Sequence, residues 1–475
     1  MVNDERKFGP EPLSSPSPMN PEDIRNLPLR ALAASLGRGE ISSEAVVRAF
    51  LDRIEAVNPR LNAVVQLRAE GALEEARAAD RVPAEKRGAL HGVPMTIKDS
   101  LDTAGLVTTG GTKGRAAFVP AEDATVVRRV RAAGAIVLGK TNTPDLTLSY
   151  ETSNLVYGRT NNPFDVSRTS GGSSGGAAAI VAAGGSPVEI GSDTGGSIRL
   201  PAHCCGIAGI KPTAGRVPRT GHIINYEGVS QFLTHIGPLA RHVDDLALVL
   251  GIIAGPDGID PHVVPVPLGD PSTVRLAGLR VGYYSRLPPL DSTAETAAAV
   301  GSAVDGLRRA GCEPVPIAIP DAERIYETYV AMLFGDGGAA VLRALDRWGS
   351  DESTLRARVA GMKTLSSAEL TARYEWLDGW RSRMLALLAG LDAIVGPVSP
   401  APAVPHDTFD RATAAYTQVF NLTGWPSTAV RAGTSPEGLP IGVQVVAHPW
   451  REDVSLAVAG EIERALAPRL PGPVL

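Results

Sequence analysis

Aromatics, cysteine and histidine are all scarce in this 475-residue chain: Phe, Trp and Tyr together make up 5 %, with three cysteines and eight histidines. Cys204 and Cys205 are adjacent and Cys312 stands far from them, which is neither a disulfide framework nor a thiolate metal spacing. Such usage fits a reducing, cytoplasmic setting. No H-x-x-x-H pair occurs, so neither zinc nor any other metal or cofactor is expected. The chain lacks a run of eighteen uncharged apolar residues, so no membrane-spanning helix is expected. It also lacks an excess of either charge: 46 basic and 51 acidic side chains leave a net charge of −5. No electrostatic footprint for nucleic acid or an anionic membrane surface follows from that balance.

What remains is 44 % apolar and 20 % charged, ordinary for a globular enzyme with a large core. Residues 1–20 are polar and rich in Pro and Ser, and are expected to form a disordered tail ahead of one ordered unit over 21–470. Within it, Val46, Val47, Phe50, Leu51, Ile54 and Val57 recur at helical spacing in Ser43–Val57. Gly92–Ile97 reads as a short buried strand that delivers Lys98 at its end. Thr125–Ala133 reads as a helix stopped by Gly134, and Ala135–Leu138 as the next strand. Further strands are predicted at Val188–Gly191, Leu279–Tyr284, Cys312–Ile317, Leu391–Gly396 and Ile441–Val446. Helices are predicted at Gly175–Ala183, Thr293–Arg309 and Asp453–Leu466. This alternation predicts an α/β fold with a largely parallel sheet. Residues 318–390 carry Tyr326, Tyr329, Phe334, Trp348, Tyr374, Trp376 and Trp380 at helical spacing, and predict a helical cap over one edge.

The chemistry concentrates in Thr169–Arg199, where two glycine-rich turns each carry serine. In D-T-G-G-S-I-R, glycines 195 and 196 remove Cβ atoms beside the Ser197 hydroxyl. The N–H groups of Thr194, Gly195, Gly196 and Ser197 can then converge on a developing oxyanion. Taken alone, S-G-G-S-S-G-G around Ser173 and Ser174 is equally the composition of a linker. Gly171–Gly175 also satisfies G-x-S-x-G, but a nucleophile elbow needs a strand before the serine, and N-N-P-F-D-V-S-R-T-S is turn-like. None of the seven lysines has a serine three residues before it, so S-x-x-K is excluded. Lys98 ends the apolar run G-V-P-M-T-I-K, where burial would lower its pKa toward neutrality. The alternative is a structural ion pair of Lys98 with Asp99 or another acid.

Six segments decide between these readings: G-V-P-M-T-I-K-D-S at 92–100, G-K-T-N-T-P-D at 139–145, S-G-G-S-S-G-G at 170–176, G-S-D-T-G-G-S-I-R-L-P at 191–201, C-G-I-A-G-I-K-P-T at 205–213 and G-L-P-I-G-V-Q-V-V at 438–446. In this order they resemble the successive blocks of the amidase signature family, over roughly residues 25–465. The resemblance implies a mixed sheet of about eleven strands wrapped by helices, with catalytic blocks at 90–215 and 390–470 and the 318–390 cap near the substrate. It implies Ser197 as nucleophile, Ser173 as a bridging serine with a cis peptide, and Lys98 as base. Asp193 and Arg199 read as a structural ion pair, and Ser174 as a buttress. Tyr150 and Gly172 fall in segments that line the substrate side. Arg431 and Trp425 depart from the family pattern near the pocket, and the loop 216–231 with His222, Tyr226 and Glu227 is another candidate wall.

Three functions follow as expectations. The first is an amidase acting alone, as monomer or homodimer, on apolar or aryl amides, with carbamates (a urethanase) and esters open to the same attack. The second is the glutaminase subunit of a tRNA-dependent amidotransferase, which needs both an acidic and a basic residue for free glutamine. The third, a non-enzymatic scaffold, is disfavoured because all three triad positions are filled.

Overall fold

The computed structural model describes residues 19–224, 227–228, 230–466 and 472–473. The tail expected over 1–20 therefore lies outside the described residues except for its last two. Thirteen strands follow in chain order: β1 (Val64–Leu67), β2 (Pro94–Lys98), β3 (Ile136–Thr141), β4 (Ser153–Asn154), β5 (Gly158–Arg159), β6 (Val188–Asp193), β7 (Ala208–Lys211), β8 (His235–Ala240), β9 (Arg280–Tyr283), β10 (Glu313–Pro316), β11 (Ala393–Pro397), β12 (Ser427–Thr434) and β13 (Pro440–Ala447). All but β4 and β5, which form their own ribbon, join one eleven-stranded sheet in the order β1-β3-β2-β6-β8-β7-β12-β13-β11-β9-β10.

The sheet is mixed, with parallel pairing confined to two flanks. On one side β2 runs parallel to β3 and β6, and on the other β9 runs parallel to β10 and β11. The middle, from β6 through β8, β7, β12 and β13 to β11, is antiparallel, as is β1 on β3. The parallel share is thus smaller than the strand–helix alternation implies. Of the strands hidden from sequence, β7, β8 and β12 lie in this middle, while β1 lies at the sheet edge and β4 and β5 form the separate ribbon. β12 and β13 are separated only by residues 435–439, far too short for a parallel crossover. Predicted element ends shift by at most four residues, the largest shift being the helix from Ser43, which runs on to Leu61.

Parallel register is what assembles the site. Thr96 lies opposite Glu189 and Ile97 opposite Ile190, so the C-terminal ends of β2 and β6 bring Lys98 beside Ser192. The helix Gly175–Ala182 is buried along its length. Its small residues are required by close approach: a Cβ on Gly176 would lie 2.5 Å from Asn142 N and 2.8 Å from Ala63 O. Backbone cannot swing aside as a side chain can, so Gly176→Ala is expected to destabilise by about 1–3 kcal/mol through overpacking. A lowered urea midpoint at unchanged slope would register it.

Helices Ile325–Phe334, Ala339–Arg347, Thr354–Val359 and Ser367–Leu388 build the expected helical region over 318–390. Trp380 is fully buried there, its indole N–H donating to Pro320 O at 2.9 Å, and Trp376 stacks on it. These aromatics are core rather than pocket. Tyr329 and Tyr326, one turn apart on Ile325–Phe334, face the chemistry instead. Among the described residues no helix is long and apolar enough to cross a membrane.

Candidate active site

Lys98 is completely buried, and its ammonium end meets three hydroxyls. Nζ lies 2.7 Å from Ser173 Oγ, 2.9 Å from Ser174 Oγ and 3.0 Å from Ser192 Oγ. Burial lowers its pKa to about 7, opposed by the carboxylates of Asp193 and Glu189. The alternative pairing with Asp99 does not form. Adjacent residues of a strand point to opposite faces, and Asp99 turns to Thr109 and to Lys140, whose Nζ is 3.9 Å away. Lys140 is a second buried lysine, lowered to about 8 by burial, but its partners are Leu101 O, Thr103 and Thr108.

Ser173 precedes the helix Gly175–Ala182 and is joined to Gly172 by a cis peptide. The segment leading to it forms only isolated bridges, Asn161 with Thr169 and Arg168 with Pro405, so the strand a nucleophile elbow needs is missing. The two serine turns are stitched together by Ser174 N–H donating to Ser197 O at 3.2 Å. Neither turn behaves as a linker, since Ser170–Gly176 and Asp193–Ser197 are buried throughout.

Asp193 organises the second turn. Its Oδ1 accepts from Gly196 N–H at 2.7 Å and Asn421 Nδ2 at 2.9 Å, and its Oδ2 from Ile198 N–H at 3.1 Å. Arg199 adds a bidentate pair at 3.1 Å to each oxygen, both side chains fully buried. Burial pushes the Asp193 carboxyl up, but Arg199 and Asn421 outweigh it and hold it below the usual carboxylate range. This bonding corrects the expected oxyanion site. Of the four N–H groups read as converging there, that of Gly196 is already committed to Asp193. The N–H groups of Gly195 and Ser197 have no partner among the described residues.

Ser197, Thr194 and Gly195 line a cleft closed on its other sides by Leu148, Tyr150, Tyr326, Tyr329, Val330, Leu333, Phe334 and Gln418, with Arg358 and Arg411 at its wall. Tyr150 is thus placed where expected, its Oη accepting from Gln418 Nε2 at 2.7 Å. Gly172, Trp425 and Arg431 do not line this cleft. A Cβ on Gly172 would strike the backbone of Tyr150 and Glu151, so that glycine serves close packing. Trp425 is buried in the core, its carbonyl accepting from Lys211 Nζ. Arg431 sits on β12 with its guanidinium over the Phe164 ring and Nη2 bonded to Thr434 Oγ1. Of the candidate loop, His222 is buried against Ser192, Glu227 is exposed, and Tyr226 lies outside the described residues.

Sequence reasoning missed Gln418 and Asn421. Their signal was available: two amides three residues apart in A-Y-T-Q-V-F-N-L, a helix otherwise apolar enough to be buried whole, as it is. Buried amides need partners, and these two find Tyr150 and Asp193.

A lysine under three hydroxyls, beside a glycine turn with free N–H groups on an eleven-stranded mixed sheet, is the arrangement the sequence blocks imply. The family model described as Amidase matches residues 45–456. The chain belongs to the amidase signature family. It is 36 % identical to a glutamyl-tRNA(Gln) amidotransferase subunit of Nitratidesulfovibrio vulgaris (strain DP4), over 94 % of this chain and 98 % of that one. It is 35 % identical to the indoleacetamide hydrolase of Bradyrhizobium diazoefficiens, over 91 % and 85 %. The structure of 6-aminohexanoate cyclic dimer hydrolase superposes with a TM-score of 0.83 at 28 % identity, covering 94 % of this chain and 98 % of that chain. This amidase-signature protein is therefore an amidohydrolase, acting on C–N bonds. Relatives of different activity stand at nearly equal identity, so substrate has to be argued from the cleft.

Proposed function

We propose that this protein is a stand-alone amidase that hydrolyses apolar or aryl amides through an acyl-enzyme on Ser197. One observation carries the reading. The cleft beside Ser197 is walled by Leu148, Tyr326, Tyr329, Val330, Leu333 and Phe334, with no carboxylate lining it among the described residues. Free glutamine, the substrate of the amidotransferase alternative, carries an α-ammonium as well as an α-carboxylate. Arg358 and Arg411 suit an anion, but the lining offers nothing acidic for the ammonium, which counts against a glutaminase.

In this reading neutral Lys98 takes the Ser173 proton while Ser173 takes that of Ser197. Ser197 Oγ attacks the carbonyl carbon, and the oxyanion meets the N–H groups of Gly195 and Ser197. The proton returns through Ser173 to the leaving nitrogen, which departs as a neutral amine. Water then takes the place of the amine, gives its proton to the same relay and releases the acid. Thr194 Oγ1, 3.1 Å from Thr234 Oγ1, fixes the edge of the turn.

Hydrolysis of a p-nitroanilide and the matching p-nitrophenyl carbamate by the purified chain alone tests this. Turnover of the anilide that vanishes in Ser197→Ala is the expected result. The carbamate-to-anilide ratio then sets how far the activity extends to urethanes. No turnover of either, with glutamine hydrolysed only once a partner protein is added, would replace this reading with the amidotransferase one.

A further inference from the structure

The Lys98 hydroxyl cage contains a polar side chain that the triad does not use. His222 follows β7 in the chain, on a loop pinned across the end of β2. Its backbone bridges Leu101, Ile223 N–H donates to Ser100 O at 2.9 Å, and Asp102 N–H donates to Gly221 O at 2.8 Å. The ring is 4 % exposed, and its Nε2 lies 3.0 Å from Ser192 Oγ. Resting on the proposed role of Lys98, we infer that His222 is a positioning residue: it holds the Ser192 hydroxyl proton and so aims the Lys98 lone pair at Ser173.

Counting protons around the cage sets the direction of each bond. His222 Nδ1 is 2.7 Å from Ile224 O, and Ile224 N–H approaches the same nitrogen at a longer 3.2 Å. Two lone pairs facing each other at 2.7 Å repel more than the longer N–H contact gains, so Nδ1 is assigned the hydrogen and Nε2 is a bare acceptor. The only proton on Ser192 Oγ therefore goes to Nε2, and toward Lys98 this oxygen can only accept. Ser174 Oγ behaves alike, donating its proton to Ser192 O at 3.2 Å. A neutral lysine has two N–H bonds and one lone pair. With Ser174 Oγ and Ser192 Oγ taking the two hydrogens, at 2.9 and 3.0 Å, the lone pair is left for Ser173 Oγ at 2.7 Å. That is the contact along which the relay must move its proton. Without His222 the Ser192 hydroxyl can turn round and donate to the same lone pair, in competition with Ser173. Burial keeps the ring neutral, lowering its pKa to about 3, with Lys98, Arg219 and Arg115 acting in the same direction and the Ile224 bond against it.

His222→Phe keeps a planar ring in the site, somewhat larger than the imidazole, and removes the acceptor. With the p-nitroanilide, kcat is expected to fall by up to about 100-fold, the scale of a misdirected reacting group, with KM unchanged. The acid limb of the pH profile should move to lower pH. The freed Ser192 hydroxyl stabilises neutral Lys98 and no longer offers a fixed acceptor to its ammonium. The charged groups facing Lys98, Asp193 and Glu189 on β6, are untouched by the substitution. A merely structural lesion would let water in and move the limb upward, toward the ordinary lysine range. His222→Gln, whose Oε1 can accept from Ser192, should recover kcat to within a few-fold and restore the limb.

If His222→Phe does not fold, Ser192→Ala, which removes the acceptor for one Lys98 N–H rather than adding a competing donor, should likewise lower kcat with a downward limb. Unchanged kcat, an upward limb, or a His222→Gln enzyme as slow as His222→Phe would overturn the inference. Full turnover in Lys98→Ala would instead overturn the functional reading on which it rests.

Discussion

Lys98→Ala is expected to lower kcat/KM for an aryl amide by about 10²–10⁴-fold, the range of a positioned general base, and Lys98→Arg by as much. The second variant is the sharper. If Lys98 served only as a buried positive charge, arginine would preserve function. If it must hold a lone pair, a guanidinium, which does not deprotonate in proteins, fails at every pH. The pH profile follows from the same group. Its pKa is brought to about 7, first by burial, so kcat/KM of the native enzyme should rise through pH about 7. Stability carries the matching sign. Lys98 titrates near 10.5 when unfolded and near 7 when folded. Between those values the unfolded chain binds more protons, so the group's destabilising contribution is largest below about 7 and fades as pH rises toward 10.5. Urea midpoints of native protein against Lys98→Ala, read at pH 7 and pH 9, isolate that slope. An Arg variant active at pH 9, or a native profile flat from pH 6 to 8, would remove Lys98 from the role of base.

Glu189 titrates alongside Lys98, because burial raises its carboxyl to about 7 as well. Its two oxygens accept from the hydroxyls of Thr96 and Thr141, so it ties β2 and β3 to β6 beneath the lysine. A carboxylate that protonates over the same pH range as Lys98 adds to the electrostatic field of the cage, and its loss below pH 7 removes one of the two charges that favour the ammonium.

Much of this site was legible in the chain because its signals are local. An apolar strand that ends on a lysine states its own burial, and glycines bracketing a serine state their own turn. The strands of the middle of the sheet were not legible, for a physical reason. β8 contains Gly237 and Pro238, and β12 contains Arg431 and Gly433, at which its register against β13 shifts. Such residues read as turns when taken alone, and only pairing on both sides makes them strand. Long-range partners were hidden in the same way. Nothing near His222 in sequence points to Ser192, thirty positions away, and Asn421 meets Asp193 across 228. Arg431 shows the converse: an unusual residue at a pocket-flanking position packs on Phe164, since a long side chain near the end of a strand takes the nearest aromatic face.

Arg199→Met is expected to destabilise the protein by about 3–5 kcal/mol, the scale for breaking one half of a buried ion pair. Both side chains are fully buried, so the abandoned Asp193 carboxylate would have no water to turn to. Arg199 also donates to Gln444 Oε1 at 2.9 Å, Asn421 Oδ1 at 2.6 Å and Thr417 O at 3.0 Å, and these bonds would be lost, Gln444 Oε1 keeping only Ser427 Oγ at 3.2 Å. Adding Asp193→Asn removes the stranded charge, and the double variant should recover a large part of the lost stability. It should not recover turnover. Asp193 accepts the N–H groups of Gly196 and Ile198, on either side of Ser197, and an amide oxygen can hold only part of that set. Stability by urea denaturation and kcat on the p-nitroanilide should therefore separate in the double variant. Restoration of both together would mean that the pair supports the fold alone, and that the shape of the Ser197 turn does not depend on the charge of Asp193.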